Sequence, residues 1–206
     1  MGNQNNKTKI VLATRNPNKL LELREILNGL PLEIEALIDY PDLPEIEEIG
    51  LTFVENAVLK ATTIYESTQI LSIADDSGLE VDALNGAPGV RSARFAGERH
   101  DYSENNRKLM ASLENVPDGQ RGAQFRCVAA IVGPGYKEIM EGIVRGRIVT
   151  KPRGDEGFGY DPLFMPEGFD RTFAELGVKI KNKISHRALA FEKVKEVLKK
   201  IIYLPA

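Results

Sequence analysis

The sequence predicts a mixed α/β fold, in which helices pack on a mixed β-sheet. Short apolar runs alternate with stretches of helical periodicity in the first half of the chain, and a hairpin pattern follows in the second half. Such alternation is typical of layered folds, and a hairpin adds antiparallel strands to the sheet. The chain has 206 residues, 42% of them hydrophobic, which is enough for one substantial core. We expect one domain over residues 9–206, after a flexible tail at residues 1–8.

The first predicted element is a buried strand over residues 10–13, which leads through a polar turn into a helix. Leu20, Leu23 and Leu27 have the i, i+3, i+7 spacing of one helix face. Asn28 and Gly29 follow, and such a pair is typical of a helix C-terminus. The first strand and helix are therefore predicted to end before residue 30.

A second strand is predicted over residues 32–38, where apolar and polar side chains mostly alternate. Thr52 and Glu55 form a capping box that begins a second helix. The apolar face of this helix is predicted to comprise Val54, Ala57, Val58, Ala61 and Tyr65. A buried strand follows over residues 70–74, and residues 79–84 are a candidate for a further strand.

The second half begins with a helix predicted over residues 103–113. Residues 124–132 and 137–148 are predicted to be two strands of a hairpin. A loop rich in glycine and proline covers residues 151–162. The last helix is predicted over residues 185–201, with these side chains facing the core: Val194, Val197, Leu198 and Ile201.

Composition excludes several classes of protein. The formal net charge is -3, so no global basic field attracts nucleic acid, and the lack of a basic stripe speaks against an RNA-binding module. Cys127 is the single cysteine and lies in an apolar run, which is typical of a core residue. The chain starts without the apolar segment of a secretory signal, and no run reaches the ~18 apolar residues of a membrane span. We therefore expect a soluble cytoplasmic protein with no nucleic-acid partner and no membrane segment.

Residues 14–19 lie between the first predicted strand and helix. A helix N-terminus presents unpaired backbone N–H groups and the positive end of the helix dipole, which suits a phosphate. Lys19 adds a full charge, and Thr14 and Asn16 add polar side chains. The structural alternative is that Asn18 simply caps the helix.

Two acidic segments are candidates for a cation site. Asp75 and Asp76 end an apolar strand, where adjacent carboxylates are unfavourable unless they are paired or bind a cation. Carboxylate oxygens are ligands that Mg²⁺ prefers, together with substrate phosphates; the structural alternative is an Asx-turn. Three glutamates lie within residues 45–48 and are followed by Lys60 on the second helix. In isolation these residues are typical of a solvated surface.

Asp76 also begins an Asp-Ser-Gly segment that resembles half of an aspartic protease site. That chemistry requires two such carboxylates sharing a proton. The sequence contains no second Asp-Ser/Thr-Gly segment. We therefore exclude the protease reading for a single chain.

One later segment carries groups that suit a nucleobase, and another carries groups that suit an anion or an acceptor oxygen. Phe158 lies between glycines, where a ring can stack on a base with a gain of roughly 1–3 kcal/mol, and Asp161 can accept a hydrogen bond from a base or ribose. The alternative is a structural turn with Phe158 in the core. Lys181, His186 and Arg187 flank Ser185, a candidate N-cap of the last helix, where cations oppose the helix dipole unless an anion or acceptor oxygen lies nearby. The alternative there is an exposed basic turn.

Together these groups supply what cleavage of a nucleotide polyphosphate requires: a phosphate-binding turn, an acidic metal site, a stacking ring and lysines. With these segments in this order, the chain from about Lys9 to Leu198 resembles the inosine triphosphatase family, also called the Ham1 or RdgB-like family. The resemblance is carried by residues 13–16 with Lys19, residues 47–53 and 55–57 with Lys60, and residues 74–79, 88–94, 157–162 and 181–187.

The resemblance implies an elongated mixed sheet with helices forming two lobes around a central nucleotide cleft. It also implies hydrolysis of ITP, dITP, XTP and dXTP to monophosphate and pyrophosphate, a Mg²⁺ cofactor and a homodimer. Asp76 would be the catalytic base and a metal ligand, with Glu48 and Glu47 as candidate metal partners. The implied substrate contacts are Thr14, Arg15, Asn16, Pro17, Asn18, Lys19, Lys60, Ser77, Phe158, Gly159, Tyr160, Asp161, Lys181, His186 and Arg187.

The chain departs from the family pattern at Arg15, where glycine is common, and at Lys179 and Ile180, where acidic residues are common. Two other functions stay open: a pyrophosphatase for modified pyrimidine triphosphates and a non-catalytic nucleotide-binding protein. The segment Ser185-His186-Arg187 favours purines over pyrimidines, and intact Asp76 and Glu48 favour catalysis.

Overall fold

Strands and helices alternate along residues 7–43, 46–97 and 101–203, which are the residues that the structure, a computed structural model, describes. The strands are β1 (Thr8–Leu12), β2 (Leu32–Ala36), β3 (Leu71–Val81), β4 (Gly122–Gly133), β5 (Tyr136–Ile148) and β6 (Phe164–Pro166). The helices are α1 (Pro17–Ile26), α2 (Phe53–Thr68), α3 (Tyr102–Ser112), α4 (Phe173–Leu176), α5 (Val178–Ile184) and α6 (His186–Tyr203). Short 3₁₀-helices occur at Leu37–Asp39, Asp82–Leu84, Gly89–Arg94 and Asp118–Gln120.

The six strands form one mixed sheet in the order β2-β1-β3-β4-β5-β6. Strand β1 pairs in parallel with both β2 and β3, so that Ile10 lies opposite Ile34 on one side and Leu71 on the other. A two-residue turn at 134–135 joins β4 to β5, and β5 pairs antiparallel with β6. The predicted mixed α/β fold and the predicted hairpin are confirmed.

The chain divides into two compact units. The first contains Met1–Asp76, Val128–Glu141 and Ala190–Ala206, and the second contains Ser77–Cys127 and Gly142–Leu189. The single domain expected over residues 9–206 stays a prediction, because compactness alone does not establish independent folding. The expected lobes and cleft also stay predictions.

In the first unit, β1 is an internal parallel strand. Such strands are covered on both faces, which explains a continuous apolar run without alternation. Ile10, Val11 and Leu12 are fully buried, as this pattern predicts. Helix α1 buries Leu23, and Leu27 just beyond its end is buried as well.

The core of the second unit combines aliphatic side chains with three phenylalanine rings. The rings of Phe125 and Phe164 meet edge to face with centroids 4.7 Å apart, and Phe164 lies 5.2 Å from Phe173. Edge-to-face and tilted pairs of this kind add to the stabilisation from apolar burial. Strand β4 thereby anchors β6 and α4 in one core.

Helix α2 begins at the predicted capping box: Glu55 N donates to Thr52 Oγ1 at 3.1 Å, and Thr52 N donates to the Glu55 carboxylate. The predicted apolar face is right at Ala57 and Ala61, which are fully buried, and wrong at Val54, which is exposed. The buried residues of the helix are Phe53, Asn56, Ala57, Lys60, Ala61 and Ile64. Hydrophobicity missed part of the face because two of the buried side chains, Asn56 and Lys60, are polar.

Strand β3 corrects the prediction of two separate strands at 70–74 and 79–84. It is continuous over eleven residues and contains the acidic segment in its middle. Strand β2 is shorter than predicted, since the chain turns into a 3₁₀-helix after Ala36 and leaves Ile38 exposed.

The ends of the chain differ slightly from expectation. Thr8 belongs to β1 and not to a tail, while residues 1–6 lie outside the described residues. Val194 and Leu198 of α6 are buried as predicted, but Ile201 is exposed near the end of the helix. Among the helices in the described ranges, none combines the length and apolar character that crossing a bilayer requires.

Candidate active site

The acidic residues of β3 begin where its neighbour β1 ends. Leu12 lies opposite Ile73, and Ala13 N donates the next hydrogen bond to Ile73 O at 2.7 Å. Strand β3 then continues through Asp75 and Asp76, which are both buried. The carboxylates therefore lie just beyond the carboxyl end of a parallel strand, where ligands gather in open sheets. The Asx-turn alternative is wrong, because both residues lie within a strand.

Lys19 reaches the acidic segment from helix α1. Its ammonium lies 2.9 Å from Asp75 Oδ2. The helix is capped by Asn16, whose Oδ1 accepts from the N–H groups of Asn18 and Lys19, so the structural alternative that Asn18 is the cap is wrong. Asn16 Oδ1 thus already accepts from two of the N–H groups at the start of the helix, and the role of this turn in phosphate binding stays a prediction.

The remaining residues of the predicted phosphate turn serve its geometry. Thr14 Oγ1 accepts from Asn16 N at 3.1 Å. Pro17 is the first residue of α1, where its missing N–H does no harm. Arg15 is exposed, and its guanidinium donates to Leu43 O at 2.6 Å. The exposed Arg15 side chain thus accommodates the departure from glycine at this position.

Lys60 of α2 is a buried cation with three oxygen neighbours. Its Nζ lies 2.5 Å from Glu48 Oε1, 2.7 Å from Asp75 O and 3.9 Å from Asp76 Oδ1. Lys60 thereby connects Glu48 to the acidic residues of β3, whereas the side chain of Glu47 is exposed. The geometry thus places Glu48 beside the ammonium that also lies near Asp76, while the metal roles of Glu47 and Glu48 stay predictions and Glu45 lies outside the described residues.

Asn56 holds Asp76 in place; it lies in a segment that carries the family resemblance, but it has no role in the sequence-based predictions of the site. Its Nδ2 donates to Asp76 Oδ2 at 2.9 Å, and its Oδ1 accepts from Gly50 N at 2.8 Å. A Cβ on Gly50 would lie 2.6 Å from that Oδ1, so the contact needs glycine. The available signal was the i, i+4 spacing of Asn56 and Lys60, which places both on one face of α2.

We call Lys19, Glu48, Asn56, Lys60, Asp75 and Asp76 the acidic cluster. It contains three carboxylates and two ammonium groups, a net charge of 2 − 3 = −1 when all are ionised. Burial raises the pKa of Asp76, Lys60 opposes the rise and Glu48 adds to it. A buried carboxylate with a raised pKa beside a specific cation is typical of an active site.

The residues of the acidic cluster fit a magnesium ion. In the described ranges no three His, Cys, Asp or Glu side chains form a metal shell on their own. Mg²⁺ commonly needs only one or two carboxylates, because waters and substrate phosphates complete its octahedron. A cation, the Lys60 ammonium, already lies against both Glu48 and Asp76. This arrangement shows that the two carboxylates can share one positive centre.

The second unit holds the predicted base-binding residues around a tight turn. Phe158 N donates to Asp161 Oδ2 at 2.8 Å, which closes the turn. Gly157 has φ +81°, and a Cβ there would collide with the same carboxylate. The Phe158 ring is half-buried, so the alternative that it is a core residue is wrong.

Cations lie over the face of the Phe158 ring. Lys181 Nζ is 4.3 Å from the ring centroid, and Arg187 Cζ is 5.7 Å away. Lys181 is also paired with Asp161 at 2.5 Å, and both side chains are 2% exposed. Arg187 Nη2 lies 3.4 Å from Ser77 Oγ. Ring, carboxylate and two cations thus form one connected group.

Helix α3 supports this group through two residues that no sequence pattern singled out. The Tyr102 ring lies 5.9 Å from the Phe158 ring, and Asn106 Nδ2 donates to Gly159 O at 2.9 Å. We call Tyr102, Asn106, Phe158, Asp161, Lys181 and Arg187 the aromatic cluster. The sequence offered no signal for the two α3 residues, because more than fifty positions separate them from Phe158.

Two predicted substrate contacts have structural partners. Tyr160 is buried, and its hydroxyl donates to Ser92 O at 2.9 Å. His186 is buried and stacks on Phe125 with centroids 4.6 Å apart and planes 8° from parallel. Ser185 Oγ accepts from Ala188 N, as an N-cap of α6 does. The substrate roles of Tyr160 and His186 stay predictions.

Comparisons with known proteins identify the family of the chain. The model of the Ham1 family matches residues 10–197. A dITP/XTP pyrophosphatase of Desulforamulus reducens is 49% identical over 194 residues, covering 94% of this chain and 96% of the relative. A dITP/XTP pyrophosphatase of Elusimicrobium minutum is 51% identical and covers 93% of this chain and 100% of the relative.

A solved structure shares the fold. The structure of a HAM1 protein from Coxiella burnetii has a TM-score of 0.86 and is 42% identical, covering 94% of this chain and 99% of the other. Sequence identity at this level over nearly the full length excludes a chance likeness of fold. The chain belongs to the Ham1 family.

Proposed function

We propose that this chain is a nucleoside triphosphate pyrophosphatase that hydrolyses non-standard purine nucleotides, dITP and XTP among them, to the monophosphate and pyrophosphate. The observation that carries the proposal is Asp76, a buried carboxylate of raised pKa that is held by Asn56 and faces Lys60. The names of the relatives support the same chemistry. The reaction would remove deaminated bases from the nucleotide pool.

Mg²⁺ is the proposed cofactor, with Glu48 and Asp76 as its protein ligands. When bound, the ion would neutralise phosphate charge and make the phosphorus more electrophilic. Asp76 would orient a water and accept its proton as the water oxygen bonds to the α-phosphorus. The bond from that phosphorus to the bridging oxygen breaks, and pyrophosphate leaves with the bonding electron pair. Lys19 and Lys60 would stabilise the charge that builds up on the phosphates.

The aromatic cluster is the proposed base-recognition group. Phe158 would stack on the purine, and the donors Lys181 and Arg187 would bind the oxygen at purine position 6. Adenine presents an amino group there, which leaves donor facing donor. An unpaired buried donor costs roughly 1–3 kcal/mol, enough to favour ITP and XTP over ATP.

A substrate panel tests the function. Pyrophosphate and phosphate are measured separately with ITP, XTP, GTP, ATP and dUTP in the presence of Mg²⁺. Rapid pyrophosphate release from ITP and XTP, with slow release from ATP and dUTP, is the expected result. Activity centred on dUTP would favour the pyrimidine alternative, and no release from any substrate would favour a nucleotide-binding protein.

We also propose that the protein is a cytoplasmic homodimer that acts on free nucleotides. The acidic and aromatic clusters are built from residues of one chain and give no argument for a dimer. The proposal of a dimer therefore rests on the family resemblance alone. Light scattering coupled to gel filtration should give twice the 22.8 kDa of the chain. A mass of one chain at micromolar concentration would contradict the dimer and leave the proposed activity intact.

A further inference from the structure

Lys60 lies against both carboxylates that are proposed to hold the metal. Its Nζ is 2.5 Å from Glu48 Oε1 and 3.9 Å from Asp76 Oδ1. The third contact, at 2.7 Å, is the carbonyl of Asp75 on the same strand as Asp76. The lysine side chain is 9% exposed, so water provides little of its solvation.

We propose that Lys60 is an internal counter-cation that competes with the divalent metal for Glu48 and Asp76. In the nucleotide-free protein the ammonium offsets part of the negative charge of the two carboxylates and keeps the affinity for free metal low. The metal would gain full access only when a polyphosphate offers the ammonium another anion. Metal and nucleotide would then enter together.

Electrostatics gives the reason for the competition. A divalent ion beside a buried ammonium experiences repulsion that water screens poorly at this depth. Removing Lys60 would leave the three carboxylates with Lys19 alone, a charge of 1 − 3 = −2 in place of −1. The loss of the Lys60 contacts with Glu48 and Asp76 and the more negative charge of the cluster should both raise the affinity for the metal.

A variant of Lys19 tests the loss of one positive charge without the loss of the Lys60 contacts with Glu48 and Asp76. It is also an ammonium of the acidic cluster, but its contact is Asp75 Oδ2 at 2.9 Å, which is not a proposed metal ligand. Lys19→Met removes the same charge as Lys60→Met and leaves Glu48 and Asp76 in contact with Lys60. The pair of variants is therefore a matched comparison.

The experiment is a titration of the nucleotide-free full-length chain with Mn²⁺, following the electron paramagnetic resonance signal of the free ion. Lys60→Met is expected to bind Mn²⁺ at least tenfold more tightly than the unmodified chain. Lys60→Arg, which keeps the charge, and Lys19→Met should stay within threefold of the unmodified chain. Equal affinity for the unmodified chain and Lys60→Met, or an equal gain in Lys19→Met, would overturn the proposal.

A folding defect in Lys60→Met does not remove the test. If that variant unfolds without metal, its refolding during the Mn²⁺ titration is followed by circular dichroism, and a midpoint tenfold below the dissociation constant of the unmodified chain is the supporting result. Failure to refold at saturating Mn²⁺ counts against the proposal.

The inference rests on the proposed metal site, and a double variant distinguishes the two. Adding Glu48→Gln to Lys60→Met should abolish the tighter Mn²⁺ binding. Unchanged binding in the double variant would place the ion elsewhere and overturn the proposed ligands. Binding that needs Glu48 but is equally tight with Lys60 present would overturn only the role of Lys60.

Discussion

Burial suits Asp76 to its proposed role as the catalytic base. Burial raises its pKa, and a base whose pKa approaches the working pH takes up a proton more readily than an ordinary aspartate. The same burial lowers stability. A raised native pKa means that the folded state binds the proton more tightly than the unfolded chain, so unfolding free energy falls as pH rises from the ordinary value of 3.8 toward the native pKa.

Asp76→Asn should therefore lose activity and gain stability. Loss of a general base lowers turnover by roughly 10²–10⁴-fold, while nucleotide binding should largely survive. The metal-free variant should have a higher Tm than the unmodified chain at pH 7, and this difference should shrink as the pH is lowered toward 4. Pyrophosphate release and thermal unfolding measure the two effects.

Asp75→Asn is the control for this prediction, because it changes the neighbouring carboxylate of the same strand. It removes the partner of the Lys19 ammonium and should lower the Tm. Unimpaired turnover in Asp76→Asn would reject its role as the base. A lower Tm would show that its hydrogen bond with Asn56 outweighs the burial of its charge.

The Lys181–Asp161 pair predicts strong coupling between two other residues. Both side chains are 2% exposed, so either single change leaves a buried charge without its partner. Lys181→Met and Asp161→Asn should each lower the unfolding free energy by about 3–5 kcal/mol. The double variant should lose much less than the sum of the two. A double-mutant cycle in urea measures the coupling, and additive losses would contradict it.

At the scale of elements, the sequence-based predictions located most of the helices and strands. They missed the polar side chains that are buried, such as Asn56 and Lys60 of α2. The capping box of α2, the Pro134-Gly135 hairpin and the N-cap at Ser185 follow from local chemistry, and each is present. The predicted face of α2 was incomplete because hydrophobic patterning treats Lys60 as a surface residue. The break predicted in β3 was wrong because Asp75 is stabilised by Lys19, a partner distant in sequence.

The turn before α4 predicts a difference between two glycines. Gly157 and Gly159 both have positive φ, at +81° and +63°, but only a Cβ on Gly157 would collide with Asp161. Gly159→Ala should lower the unfolding free energy by about 1–2 kcal/mol from backbone strain alone. Gly157→Ala should cost more, because it also displaces the partner of Lys181.

Urea unfolding and the KM for ITP measure this difference. The base-recognition role of the turn predicts that Gly157→Ala raises KM more than Gly159→Ala does. Equal losses of stability in the two variants would show that backbone strain, and not the close approach to Asp161, determines the glycine at 157.

At the scale of the whole molecule, the fold should not depend on the metal. Two ammonium groups already neutralise most of the acidic cluster, so its carboxylates do not require a divalent ion to stay buried. EDTA should abolish turnover and leave the circular dichroism spectrum and the Tm nearly unchanged, with full recovery on adding Mg²⁺. Loss of the native spectrum in EDTA would instead make the metal structural.

The order of motifs along the chain was enough to identify the family and the fold class. It was not enough to predict contacts such as Asn56 with Asp76 or Asn106 with Gly159, which join residues 20 and 53 positions apart. Periodicity reports which face of one element is apolar, and it carries no information on which polar groups meet across elements. The partners that orient the proposed catalytic and stacking residues were therefore visible only in the structure.

Cys127 gives the molecule a built-in reporter of its own opening. It is the single cysteine of the chain, and the structure buries it completely in β4. Reagents for thiols should reach it only when that strand is exposed, so the rate of reaction with Ellman's reagent reports the opening free energy without an added label. Buried thiols are also poor targets for oxidants. Oxidising and nitrosating conditions damage bases and also attack exposed thiols. This protein exposes no thiol to them, because its single cysteine is buried.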